Sequence, residues 1–201
     1  GNPAMGLVSD WLTTLGGASG LAEFPELCGA EGDMVKRCIN LEDKKKFLNL
    51  MQGYEKTANF FDTTIADNPS FGNIADGLIT DAIKSTGAAK KGGRAPIVSV
   101  CDYAEPMPDS GLSLVCTPGN DVDAVTGLVA AGCNVVIFST GLGTPTGNPI
   151  VPVLKISTNS TIARRLSDMI DFDCGPVIDG TPLEDVSREL FEKVIETAFT
   201  T

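Results

Sequence analysis

The chain has 201 residues, 42% of them hydrophobic and 20% charged, which is ordinary composition for one globular unit with a full-sized core. Its net charge of −11 repels phosphate backbones, and no basic stripe interleaved with aromatics runs along it, so nucleic acid is a poor partner whereas a small anion at a local positive site is not. The sequence contains no histidine, which removes Ser-His-Asp and Cys-His catalysis and histidine metal ligands within this chain and leaves carboxylates, Lys, Cys, Tyr and backbone groups to carry any chemistry here.

The first element is a helix, with Asn2 as cap and Pro3 in the first turn. Met5, Val8, Leu12 and Leu15 recur at spacings of three and four until Gly16-Gly17. So abrupt a start predicts that residues precede this segment in the native protein. No signal peptide and no apolar run of the ~20 residues needed to cross a bilayer is readable, so the expectation is a soluble, cytoplasmic protein. S-G-L-A-E-F is a short strand candidate. Cys28 to Phe61 reads helical in two pieces, Asp62 to Gly77 reads as a long polar loop with Asn, Pro and Gly, and Asp81 to Lys91 reads as a helix ended by Gly92-Gly93.

The second half is more regular. P-I-V-S-V, L-S-L-V-C, N-V-V-I-F-S and V-P-V-L-K-I-S are short β-branched runs of the kind buried on both faces of a parallel sheet. Helical segments at Asp121 to Ala131 and Ser160 to Ile170 separate them. The last helix carries a capping box, Thr181-Pro182-Leu183-Glu184, and an apolar stripe of Val186, Leu190, Val194 and Ile195. This alternation predicts a single α/β domain over residues 1–201, a doubly wound, mainly parallel sheet with helices on both faces in Rossmann-like layering. The six cysteines form no C-x-x-C pair and are expected as reduced, mostly buried thiols.

Ligands in open parallel sheets bind beyond the carboxyl ends of the strands, and those positions form a consistent set. Glu23 and Glu26 follow the first strand. Thr117 follows L-S-L-V-C, Thr140, Gly141, Gly143 and Thr144 follow N-V-V-I-F-S, and Asn159 follows V-L-K-I. Glu23 and Glu26 are candidate general bases or metal ligands, and equally candidate helix caps. In the Thr140 to Gly147 segment, glycines would let backbone N–H groups approach an anion; a plain tight loop accounts for it equally. Asp171 and Asp173 in I-D-F-D-C-G have the oxygens for a hard cation, or form a solvated turn. Lys90-Lys91 reads as a solvated helix end and Arg164-Arg165 as a solvated helix face.

Taken together, N-P-A, E-F-P-E-L-C-G-A-E, N-P-S-F-G-N, T-P-G-N-D-V-D-A-V-T-G-L-V-A-A-G-C-N, F-S-T-G-L-G-T-P, V-P-V-L-K-I-S-T-N and I-D-F-D-C-G resemble, in order, the carboxy-terminal region of the altronate and galactarate dehydratase family. The resemblance covers nearly the whole chain. It implies an Fe2+-dependent hydro-lyase that dehydrates a sugar acid to a 2-keto-3-deoxy acid, by α-proton abstraction and β-hydroxide loss. It also implies a homo-oligomer, and an amino-terminal domain or small subunit that lies outside these residues, without which the domain is expected to be inactive. On this reading Glu23 and Glu26 are catalytic, Asn73, Thr117, Thr140, Gly141, Gly143, Thr144 and Asn159 bind substrate, and Glu23, Asp171 and Asp173 are candidate metal ligands. The alternatives are the large subunit of a related lyase such as a sulfolactate sulfo-lyase, or a non-catalytic ligand-binding or assembly domain. Two departures remove positive charge: Leu142 stands where the family commonly has the arginine of T-G-R-G-T, and Phe71 to Gly77 replaces P-G-N-K-K-G-G.

Overall fold

The computed structural model describes residues 1–65 and 80–200. Helix α1 (Asn2–Thr14) buries Ala4, Met5 and Val8, and its Gly6 lies where a Cβ would collide with the Lys90 carbonyl and crowd Gly93. From the next turn of α1, Asp10 accepts the N–H groups of Arg94 and Ala95 at 2.7 and 3.0 Å, fixing the chain just beyond Gly93, which has φ 59°. After β1 (Ala18–Leu21) come a 3-10 turn at Phe24–Leu27, α2 (Glu31–Arg37) and α3 (Leu41–Phe60). Helix α3 starts where Asn40 accepts the Asp43 N–H, a cap that satisfies one of the orphan donors of the first turn. Helix α4 (Asp81–Ala89) runs into a second 3-10 turn, Lys90–Gly92.

The remaining strands are β2 (Ile97–Cys101), β3 (Gly111–Val115), β4 (Val136–Ser139), β5 (Val153–Ser157) and β6 (Phe172–Asp173). Helices α5 (Asp121–Ala130), α6 (Ser160–Arg165) and α7 (Leu183–Thr200) follow β3, β5 and β6 in turn. All pairings among the described residues are parallel, as the β-branched runs predict. They form two three-stranded sheets, ordered β1-β3-β2 and β4-β5-β6, so the expected sheet is divided between β1 and β4. Helix α6 is shorter than the Ser160 to Ile170 periodicity suggests. The chain leaves it at Leu166, whose side chain covers Gly143.

Two cores hold the halves together by removing apolar area from water. One gathers Leu21, Phe24, Leu27, Met34, Phe47, Ile97 and Leu112, with the rings of Phe24 and Phe47 edge-to-face at 5.2 Å. The other gathers Met5, Val8, Leu154, Ile156, Cys174, Val186, Leu190 and Val194, so α1 and α7 pack together over β5. None of the six cysteines is in a disulfide, and Cys38, Cys101, Cys116 and Cys174 are buried.

Candidate active site

Glu23 leaves the end of β1 in the left-handed region, at φ 64° and ψ 62°, a conformation that costs a non-glycine residue about 1–2 kcal/mol. Fully buried Thr117, at the end of β3, holds it there. Its Oγ1 accepts the Glu23 N–H at 2.9 Å, its carbonyl accepts the Phe24 N–H at 3.1 Å, and its own hydroxyl donates to the Pro118 carbonyl at 3.2 Å. The 3-10 turn that follows brings residues three apart onto one side, which sets Glu26 beside Glu23.

Both carboxylates converge on one ammonium. Lys91 Nζ lies 3.1 Å from Glu23 Oε2 and 3.1 Å from Glu26 Oε2, and Lys84 Nζ lies 3.3 Å from Glu26 Oε1. None of the four side chains is more than 20% exposed, so the charges attract in a medium far less screening than water. Burial pushes the Glu23 carboxyl above its ordinary range against the pull of Lys91, and the charges of Glu26 and Asp121 push the same way. Burial acts on Glu26 too, but Lys91 and Lys84 together outweigh it and hold that carboxyl below its ordinary range. Lys91 is desolvated, yet its two carboxylate partners keep its pKa raised and the ammonium charged. One glutamate of the pair is therefore the readier to take a proton.

The sequence reading of Lys90-Lys91 as a solvated helix end holds for exposed Lys90 and is corrected for Lys91, which the turn directs inward onto both glutamates. Lys84 is a member of the cluster that the sequence reading passes over. The available signal is spacing: Lys84 and Lys91 are seven residues apart, two helical turns, and so share a face. Asp121, the last residue of the strand-end segment Thr117-Pro118-Gly119-Asn120-Asp121, belongs to this centre as well. It opens α5, and its Oδ2 accepts the Thr144 hydroxyl at 2.6 Å, which ties the end of β4 to the neighbourhood of Glu23.

Glu23, Glu26, Thr117 and Thr144 thus gather with Lys84, Lys91 and Asp121. Other proposed positions make local hydrogen bonds. Thr140 Oγ1 accepts the Gly143 N–H at 3.0 Å and closes its own turn, with Gly143 at φ 97°, no atom near the missing Cβ of Gly141, and Leu142 exposed. Asn159 Oδ1 accepts the N–H groups of Thr161 and Ile162, capping α6. Asn73 and the Phe71 to Gly77 departure lie outside the described residues. Arg164 and Arg165 are exposed, as expected of a helix face.

The candidate metal ligands do not compose a cation site. Asp171 Oδ2 accepts the Lys155 N–H at 2.7 Å, Asp173 Oδ1 accepts the Gly175 N–H at 2.7 Å, and Glu23 is held by Lys91. Among the described residues no three His, Cys, Asp or Glu side chains come together as a metal would require.

Residues 1–200 match the model of the D-galactarate/altronate dehydratase C-terminal family. The chain belongs to that family. As a D-galactarate/altronate dehydratase C-terminal domain it is 38% identical to altronate dehydratase of Escherichia coli and 34% identical to its galactarate dehydratase (L-threo-forming), in each case over 98% of this chain. It covers 40% and 38% of those proteins. It is also 31% identical, again over 98% of its length, to the (2R)-sulfolactate sulfo-lyase subunit beta of Chromohalobacter salexigens, of which it covers 52%. No helix among the described residues of the domain is long and apolar enough to cross a membrane.

Proposed function

We propose that this chain is the C-terminal domain of a cytoplasmic hydro-lyase acting on a sugar acid of the altronate or galactarate type, and that Glu23 is its proton acceptor. The observation that carries this reading is the half-enclosed Glu23–Lys91–Glu26–Lys84 cluster at the strand ends of a chain without histidine. Dehydration requires a base for the proton beside a carboxylate, a positive charge for the enediolate that develops, and a proton for the departing β-hydroxyl. Glu23, whose proton affinity is raised, takes the α-proton. The Lys91 ammonium, kept charged by Glu26, balances the growing negative charge. The proton on Glu23 is then available to the β-hydroxyl, which leaves as water, and the enol product tautomerises to the 2-keto-3-deoxy acid. Asp121 and Thr144 border this centre and supply polar partners suited to a polyol.

The Fe2+ implied by the family resemblance finds no ligand set among the described residues, so we assign its ligands to the rest of the enzyme and route no step through it. That remainder, fused or as a separate subunit, is the domain's expected partner, in an assembly that is itself a homo-oligomer. A second reading, a sulfo-lyase subunit, is favoured by the match to the sulfolactate enzyme and by Leu142 in place of the familiar arginine.

One experiment separates the two. The full-length enzyme is given D-altronate, D-galactarate and (2R)-sulfolactate, and keto-acid formation and sulfite release are followed. The expected result is keto-acid formation from a sugar acid, with Glu23→Gln lowering kcat by about 100-fold or more. Sulfite release with no dehydration of either sugar acid would establish the second reading, and undiminished activity of Glu23→Gln would remove Glu23 from the reaction.

A further inference from the structure

Strands β1 and β4 are the facing edges of the two sheets, and a cavity of about 790 Å³ lies between them, touching the chain continuously from Gly17 to Glu23 and from Asn134 to Ser139. Side chains of α1 and α7 close it on one side and of α5 on the other, Met5, Leu12, Val194 and Leu128 among them. Of the described residues that line it, only Glu23, Lys91 and Asp109 carry charge.

The hydrogen-bond alternation of the ladders shows what faces this space. Gly17 O accepts the Gly111 N–H, so in a parallel ladder Ala18 and Gly20 turn their N–H and C=O groups away from β3. Val136 N–H donates to Pro152 O and Thr140 N–H to Ile156 O, so Val135, Ile137 and Ser139 turn theirs away from β5. Each edge therefore aims a row of main-chain donors and acceptors at the cavity, and among the described residues β1 pairs only with β3 and β4 only with β5. Burial agrees. In β1 only Leu21 is buried, and in β4 only Val136, whereas four of five residues of β3 are. Ile137 and Phe138 are large apolar side chains left half-covered on a strand edge, where such a surface invites pairing.

The volume would suit a small molecule, but the lining decides against one. Two parallel rows of peptide groups, floored and roofed by apolar helices, are satisfied together by an extended backbone and by little else. We propose that an extended, uncharged segment of about five residues, from the part of the full-length enzyme outside these 201 residues, inserts between β1 and β4 and joins the two sheets into one of seven strands. The relatives leave ample chain to supply it, since this domain covers only 40% of altronate dehydratase. With the strand in place, β1 and β4 would stand two strand spacings apart, about 10 Å. The insertion also brings the remainder of the enzyme against the end of β1, next to Glu23.

The test is the structure of the full-length enzyme, with amide hydrogen exchange of the same protein as a faster check. The expected result is a strand from outside residues 1–201 bonded to Gly20 on one side and to Ile137 on the other, with both amides exchanging about 100-fold or more slower than unstructured peptide. A gap filled by residues 66–79, by a second copy of this domain, by a small molecule, or closed by direct pairing of β1 with β4 would each overturn the proposal. Unprotected Gly20 and Ile137 amides in the full-length enzyme would overturn it as well.

Discussion

Thr117 holds Glu23 in a left-handed backbone conformation through one hydroxyl, which accepts the Glu23 N–H at 2.9 Å while Thr117 itself is wholly shielded from solvent. Val has nearly the shape of Thr and lacks that acceptor. Thr117→Val should leave the Glu23 amide without its partner and destabilise the full-length enzyme by about 1–3 kcal/mol, read from urea denaturation. Released from its anchor, Glu23 should also lose its aim, lowering kcat by about tenfold to a hundredfold. Thr117→Ser, which keeps the acceptor, should restore most of both.

The two glutamates should have opposite effects on stability as pH changes. Glu26 is held below its ordinary 4.5, so its stabilising contribution is complete above that value and is lost as pH falls through its lower folded pKa. Glu23 is raised above 4.5, so ionising it costs the fold, and that cost grows as pH rises from 4.5 through its folded pKa. Lys91, raised above 10.5, stabilises fully below that value and ceases to do so as pH climbs through its folded pKa. Near about pH 7, denaturation midpoints should therefore show Glu26→Gln below the parent enzyme and Glu23→Gln at or above it, with the Glu26→Gln deficit shrinking in acid.

Asp121 offers a way to tune Glu23 without touching it. Its negative charge helps raise the Glu23 pKa, and its Oδ2 accepts the Thr144 hydroxyl. Asp121→Asn keeps an oxygen for Thr144 and removes the charge, so Glu23 should ionise at lower pH. The acid limb of the kcat/KM profile should move downward in pH. A limb that stays in place would mean that Glu23 does not set it.

Asn159 is read from the sequence as a substrate ligand and found as the cap of α6. Asn159→Ala should cost about 0.5–2 kcal/mol of stability, and Asn159→Asp, also a good cap, much less. Steady-state kinetics of both variants at a temperature where each is folded should show kcat/KM within about twofold of the parent if capping is the whole role.

The strand positions were legible because V-V-I-F-S, L-S-L-V-C and V-L-K-I-S are short, β-branched and separated by helical spacing, a local pattern that burial in a parallel sheet rewards. Glu23 could be picked out because it follows a strand, and strand ends are where such folds collect chemistry. Lys91 could not. A lysine in a helix-ending K-K-G-G run is normally solvated, and it is the packing of the Lys90–Gly92 turn against α1 and β1 that aims this one inward. The division of the sheet was equally hidden. Strand order is a matter of long-range pairing, and nothing within A-S-G-L or V-I-F-S announces that each lies on an edge.

The close approach of α1 to the Lys90–Gly92 turn has a consequence for how this domain can vary. Gly6 leaves no room for a side chain against the Lys90 carbonyl, and Asp10 clasps the backbone beyond Gly93. The address of Lys91 is thus written more than eighty residues upstream. Any chimera that exchanges the first helix between homologues should inherit positions 6, 10 and 93 as a single block with Lys91, and a graft that separates them should lose the ammonium from between its glutamates even with every residue of that cluster unchanged.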